Sequence, residues 1–140
     1  MAANTTPIFV ATPAMGFARL TGANTARDGS GSNIATLYTA QTNGSRIDRI
    51  TFISAQATAA ASSAMVGRVF ITDTSGLNPR LRSEVAITTV TASNTAIGAT
   101  QTISYTGGLI LKSGQVVQVS ISVYAGVQDQ MDVIAEGGDY

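Results

Sequence analysis

Hydrophobic and polar residues alternate with a period of two along much of this chain. The longest such stretch covers 117–124, where Val117, Val119, Ile121 and Val123 are separated by more polar side chains. A period of two places successive side chains on opposite faces of a strand, so one face here is apolar and the other polar. This pattern is typical of an antiparallel strand that covers a core on one side only.

Shorter stretches of the same kind predict further strands, and their richness in Val, Ile and Thr supports that assignment. Turn-forming residues separate them, and Asn43-Gly44 is the strongest hairpin signal. The spacing gives roughly eight or nine strands between about residues 15 and 136. We therefore expect an all-β fold, an antiparallel β-sandwich of the jelly-roll kind. The shorter alternating stretches are 49–54, 68–72, 84–88 and 131–134.

Two segments do not follow the alternation. Residues 55–64 are mostly Ala, Ser and Thr, which is compatible with a loop or with a short helix. Residues 1–14 contain Pro7 and Pro13 and many small residues, which is typical of a short extended N-terminal arm. With 140 residues in all, the remaining 15–140 correspond to a single sandwich domain.

The composition excludes several classes of function. The chain has no His and no Cys, so it has no imidazole or thiolate to build a zinc site, a disulfide framework or a His-based catalytic triad. Charged residues make up 11%, about half of what a typical soluble domain carries. A formal net charge of +0 with one lysine does not match a nucleic-acid binder. No stretch approaches the ~20 apolar residues of a membrane span. The N-terminus also lacks the basic and apolar regions of a secretory signal. We expect a non-enzymatic protein without metal or cofactor that binds neither nucleic acid nor membrane.

The charges are unevenly distributed along the chain. All basic residues lie within 1–112, whereas Asp129, Asp132, Glu136 and Asp139 follow the last of them. An acid pair or a calcium site would need these carboxylates on one face, but on a strand positions 129 and 132 point to opposite faces. They read as solvated charges, and an acidic tail on a basic body would suit contact between subunits.

The arginines offer few candidate sites. Arg46 and Asp48 lie two residues apart, which places them on one face of a strand and predicts a local ion pair or a contact with a neighbouring subunit. Arg80 and Arg82 share one face after a predicted turn, and together with Arg68 they could form a small basic patch for an acidic partner.

Four segments carry a resemblance to known proteins. ANTARDGSG at 23–31, LYTA at 37–40, NGSRIDRI at 43–50 and VIAEGGDY at 133–140 resemble a group of small tailed-bacteriophage virion proteins. The resemblance spans the chain from about residue 20 to its end, it is weakest around 55–100, and it includes no catalytic motif.

This resemblance implies a capsid decoration (cement) protein, made in the bacterial host cytoplasm and then bound to the capsid exterior of the virion. Its partners would be the major capsid protein and further copies of itself, in a homotrimer. A tail-, collar- or fibre-associated β domain stays open as an alternative. A carbohydrate- or receptor-binding module and an enzyme such as a depolymerase fit less well, because the chain has no Trp and little room for a cleft. The expected partner-contact residues are Ile8, Phe9, Arg80, Arg82, Asp139 and Tyr140.

Overall fold

The computed structural model describes residues 10–56 and 59–140. Ile8 and Phe9, the two arm residues expected to contact a partner, lie outside this part of the chain. The first strand begins at Thr12, three residues before the boundary at residue 15 that the sequence predicted. Pro13 fits there because this strand lies at a sheet edge, where a missing N–H donor is tolerated.

The described residues form eight strands and one short 3-10 turn. No helix among them has the length and apolarity needed to cross a bilayer. The elements are β1 Thr12–Leu20, β2 Ala35–Thr39, β3 Ser45–Ser54, β4 Met65–Ile71, β5 Arg80–Ile87, β6 Thr100–Leu111, β7 Val116–Ile121, the 3-10 turn Val127–Asp129 and β8 Met131–Asp139.

The strands pair from the ends of the chain inward, and every pairing is antiparallel. β1 pairs with β8, β2 with β7, β3 with β6 and β4 with β5, as in one long hairpin. Two further pairings, β3 with β8 and β4 with β7, show that this ribbon is rolled up on itself. The result is two four-stranded sheets, β1-β8-β3-β6 (the β1 sheet) and β2-β7-β4-β5 (the β2 sheet). Eight strands wound in this way are a jelly roll, which confirms the fold expected from the sequence.

The core fills the space between the two sheets. Ile50, Phe52 and Val133 from the β1 sheet and Val119 and Ile121 from the β2 sheet are completely buried. These are the apolar positions of the alternating stretches, so the period-two pattern identified the inward face correctly.

One strand ends earlier than its pattern. Alternation continues to residue 124, but β7 ends at Ile121. There the chain turns away, because Ser122 exchanges two hydrogen bonds with Val66. Its N–H donates to the Val66 carbonyl at 3.0 Å, and its hydroxyl accepts from the Val66 N–H at 2.9 Å. Val123 is partly exposed as a consequence.

The connections differ in length between the two ends of the sandwich. Segments 21–34, 55–64, 88–99 and 122–130 lie at one end, which we call the long-loop end. The described part of 55–64 contains no helix. Gln56 ties it to its neighbours, because its side-chain amide donates to the Gln128 carbonyl at 2.9 Å and accepts from the Ala92 N–H at 2.9 Å. At the opposite, short-loop end, Thr12 of β1 pairs with Asp139 of β8.

A candidate docking surface

The outward side of β1 carries large apolar side chains. Met15 is 54% exposed and Phe17 is 65% exposed. Gly16, which lies between them, and Leu20 at the end of the strand face the core. A strand that covers the core with one face normally presents polar residues on the other. β1 is apolar on both, which is typical of a strand that is covered on both sides.

The register of the β1 sheet extends this apolar surface across three strands. Phe17 is opposite Ile134 of β8, which in turn is opposite Thr51 of β3. These three residues form a row that crosses the strands. The neighbouring rows on the same face are Met15, Glu136 and Arg49 toward the start of β1, and Arg19, Asp132 and Ile53 toward its end. We call these nine residues the outer face. It contains shallow depressions, the larger of them about 460 Å³ and lined by residues that include Phe17, Arg19, Asp132 and Ile134.

The charges of the outer face are paired across the strands. Arg19 donates to both carboxylate oxygens of Asp132, at 2.6 and 2.8 Å. Arg49 donates in the same way to Glu136, with one bond at 2.9 Å. Each bidentate arginine lowers the pKa of its carboxyl partner below the ordinary value. The outer face therefore has an apolar centre and charges of both signs that cancel locally.

The four carboxylates that were expected to be solvated charges all have partners within the chain, and the expectation is wrong for the buried Asp129. Asp132 and Glu136 form the pairs just described. Asp139 accepts from the Ser45 hydroxyl at 2.5 Å and from the Tyr38 hydroxyl, so its Oδ1 links β8 to β3 and β2. Asp129 is completely buried in the 3-10 turn, not placed on a strand.

The arginine patch contains two residues, not three. Arg80 and Arg82 are exposed on β5, at the edge of the β2 sheet. Arg68 does not join them, because it is buried and donates to Glu84 at 2.9 Å and to the Asn24 carbonyl at 3.0 Å. Arg82 lies over the ring of Tyr105 on β6, with 5.3 Å from the guanidinium carbon to the ring centroid. Neither Arg80 nor Arg82 forms an ion pair within the described residues.

The remaining predicted residues are placed at the short-loop end. Tyr140 is half-buried, its N–H donates to the Gly44 carbonyl at 3.2 Å, and it lines a depression with Ile110 and Leu111. Asp139 and Tyr140 thus belong to the β1 sheet and its end, on a different sheet from Arg80 and Arg82. The predicted local ion pair of Arg46 with Asp48 is confirmed, at 2.9 Å between nitrogen and oxygen.

The outer face was not among the sites predicted from the sequence. The signal was available, because Met15, Phe17 and Arg19 alternate with small or apolar residues that face inward. The prolines before them favoured an arm at the start of this stretch, and the partners Ile134 and Ile53 are far away in sequence. Only the strand register brings these residues together.

The comparisons with known proteins add little to this description. No protein-family model matches the chain, and no curated protein matches it. Among solved structures it is similar to a chain described as "Structure of infectious bursal disease virus Gt strain", with 14% sequence identity and a TM-score of 0.29. The match covers 98% of this chain and 36% of that chain. The jelly-roll assignment rests on the strand pairing within this chain.

Proposed function

We propose that this chain is a non-enzymatic virion structural protein of a tailed bacteriophage, which decorates the outer surface of the capsid as a homotrimer and stabilises the head. The observation that carries this proposal is the outer face, a sheet surface that presents Met15 and Phe17 to solvent. Contiguous apolar surface of this kind marks an interaction site on a soluble protein. The resemblance of four sequence segments to phage virion proteins supports the choice of partner.

The geometry suits a protein that works by contact alone. Its hydroxyl-rich, sparsely charged chain forms a stiff two-layer sandwich, with main-chain hydrogen bonds across each sheet. A trimer bound to a symmetric shell would make three equivalent contacts. Avidity of this kind raises the affinity above that of one weak contact by a factor of roughly 10²–10⁴. Ties between neighbouring capsid subunits would then resist the outward pressure of packaged DNA.

The contact residues proposed from the sequence fall into two groups. Ile8 and Phe9 lie outside the described residues. Asp139 and Tyr140 lie together at the short-loop end and would contact the shell there. Asp139 would contribute through Oδ2, because Ser45 and Tyr38 both donate to Oδ1 and the Asp139 carbonyl accepts from the Ala11 N–H. Arg80 and Arg82 are on the β5 edge and would serve a different contact.

The copy number in the virion tests the proposal. Quantitative mass spectrometry of purified virions would compare this chain with the major capsid protein. Copies on the order of hundreds are expected, because an icosahedral shell offers many equivalent positions. About a dozen or fewer would place the chain at the portal, collar or tail, and absence from virions would favour a binding module; either result would overturn the decoration role.

A further inference from the structure

The geometry points to an intramolecular docking site for the segment that precedes β1, in which Ile8 and Phe9 bind their own chain. The site is the outward surface of the β1 sheet between Gly138 of β8 and Ile110 of β6, at the short-loop end. Three observations carry the inference: the direction in which the chain enters β1, the strand register at this end, and an exposed apolar depression within reach.

The chain does not enter β1 in line with the strand. It bends at Ala11, whose N–H donates to the Asp139 carbonyl at 2.8 Å. Val10 lies over Gly138, because a Cβ on Gly138 would overlap the Val10 side chain. Gly138 faces outward, two residues beyond the outward Glu136, and it is nevertheless buried. The preceding chain is therefore directed across the outward surface of the sheet.

The strand register shows what lies further along this direction. Gly138 pairs with Arg46 of β3, and Arg46 pairs with Ile110 of β6. Adjacent strands are about 4.8 Å apart, so Ile110 is about 10 Å from Gly138. An extended chain spans about 3.3 Å per residue, so the three residues before Val10 can reach Ile110. The Arg46 side chain leans toward its ion-pair partner Asp48, away from the short-loop end, and leaves this route open.

The route ends at an apolar surface. Ile110 is 57% exposed, whereas Leu109 and Leu111 on either side of it are buried. Ile110 borders the depression of about 460 Å³ that Gly44 and Tyr140 also line. Apolar side chains gain free energy when another apolar group removes them from water, so this depression favours an apolar occupant.

The segment before β1 matches the site in length and chemistry. Ile8 and Phe9 are consecutive large apolar residues within the three positions that reach Ile110. Pro7 restricts the backbone before them, which reduces the conformational entropy lost on docking. Attachment through Val10 gives the segment an effective concentration of about millimolar at the site. This favours the chain's own segment over that of a second copy in dilute solution.

Docking would bring Ile8 and Phe9 next to Tyr140. Three of the residues expected to contact the capsid would then form one continuous surface at the short-loop end. This consequence rests on the proposed function, whereas the contact itself does not, because it forms within a single chain.

Disulfide trapping tests the contact, because the chain has no Cys of its own. The Ile8→Cys/Ile110→Cys double variant places one thiol on the segment and one at the site. Its matched control is Ile8→Cys/Thr39→Cys, with the second thiol exposed at the end of β2, the strand that adjoins β1 on the side away from β8. With oxidised glutathione, we expect the first variant to close an intrachain disulfide at least about tenfold faster than the control, because docking raises the effective concentration of one thiol at the other.

Non-reducing gel electrophoresis of dilute protein separates the outcomes. Equal rates in the two variants would show that the segment has no preferred side of β1, and they would overturn the inference. An interchain disulfide that forms in place of the intrachain one would also overturn it, because the segment would then bind another copy.

A fluorescence measurement provides a second test that needs no thiols. Phe9→Trp introduces the chain's only Trp, and indole emission moves to longer wavelength when water reaches the ring. Adding Ile110→Ser should produce this shift, whereas adding Ile97→Ser, at a loop side chain 90% exposed, should not. Far-ultraviolet circular dichroism would establish that every variant is folded. A shift with both serine substitutions, or with neither, would contradict the docking.

Both experiments use the purified chain, so their outcome is separable from that of the proposed function. A docked segment on a chain that is absent from virions would leave the contact standing and remove the decoration role. An undocked segment on a chain present in hundreds of copies per virion would do the reverse.

Discussion

Asp129 shows how much a single buried side chain can organise. It is completely buried, and three donors converge on its carboxylate: the Ser63 N–H at 2.6 Å, the Ser63 hydroxyl at 2.9 Å and the Ala125 N–H at 2.6 Å. Ser63 belongs to the β3–β4 connection and Ala125 to the β7–β8 connection. One carboxylate therefore joins two long loops that have no strand pairing with each other.

Replacing Asp129 by Ala should lower the free energy of unfolding by about 3 kcal/mol, because two backbone N–H groups lose their acceptor in a buried site. Urea unfolding followed by circular dichroism measures the change. Asp132→Ala is the matched control, since an exposed ion pair is worth less than about 1 kcal/mol. Equal losses in the two variants would contradict the assigned role of Asp129.

The sequence could not reveal this role of Asp129. Spacing alone placed positions 129 and 132 on one strand and assigned both to solvent. The carboxylate is in fact in a 3-10 turn, and its partner Ser63 lies 66 residues away along the chain. Hydrogen bonds between side chains so distant in sequence leave no local pattern to read.

At the scale of elements, the seam between β1 and β2 depends on a glycine. Gly16 faces the core opposite Leu37 of β2, and a Cβ at this position would overlap the Leu37 carbonyl group. The missing side chain lets the edge strand of one sheet approach the edge strand of the other. The outer face depends on this placement, because Met15 and Phe17 flank Gly16 directly.

Gly16→Ala should therefore destabilise the protein by about 1–3 kcal/mol, as overpacking of a close contact does. Thermal unfolding provides the measurement. Thr12→Ala, at an exposed position of the same strand, should change stability by less than about 0.5 kcal/mol. A neutral Gly16→Ala variant would show that β1 can move away from β2 without cost.

Strands were predictable from sequence where hydrophobic and polar residues alternate strictly. Their bounds and register were less predictable where this alternation is interrupted. Segments 49–54 and 131–134 lie within β3 and β8 with the expected residues inward. The bulge in β3 between Ile47 and Arg49 shifts the register with β8 by one residue, and its sequence signal lies on the neighbouring strands, in Gly137 of β8 and in Gly107 and Gly108 of β6. The start of β1 was missed because Pro13 and its small neighbours are typical of an extended arm. An edge strand can also contain proline and small residues, so these residues do not distinguish the two.

At the scale of the whole molecule, the dependence of stability on acidic pH should come from carboxyl groups whose pKa values are lowered in the folded state. Glu84, Asp132 and Glu136 have pKa values lowered by their arginine partners. A carboxyl group with a lowered pKa stabilises the folded state above its ordinary pKa, and this contribution is lost as the pH falls through the folded-state pKa.

The urea midpoint should therefore stay nearly constant between about pH 5 and 8 and decrease below about pH 4. The chain has no His, so no side chain with an ordinary pKa titrates in the upper range. Urea titrations at a series of pH values give the profile. A midpoint that already falls between about pH 8 and 5 would contradict this account.

The same cross-strand pairs explain why the fold was predictable while the charge distribution was not. Alternation is a local property, so the sandwich could be read from short windows. The pairing of Arg19 with Asp132 joins residues 113 positions apart. Counting charges along the chain therefore produced an acidic tail and a basic body, whereas in the folded molecule two of the tail carboxylates, Asp132 and Glu136, are paired with arginines of the same sheet.

The end-to-end pairing of the strands has a consequence for how the protein is made. β4 and β5 are neighbours along the chain and can form a hairpin while translation continues. β1 leaves the ribosome early, but its partner β8 is synthesised after the seven other strands, and β8 also lies between β1 and β3. The nascent chain therefore cannot complete the β1 sheet until Met131–Asp139 has emerged. Folds dominated by such distant pairings form slowly, in about milliseconds to seconds. During this delay Phe17 and Leu20 are both exposed, and this interval is when a newly made chain is most exposed to aggregation.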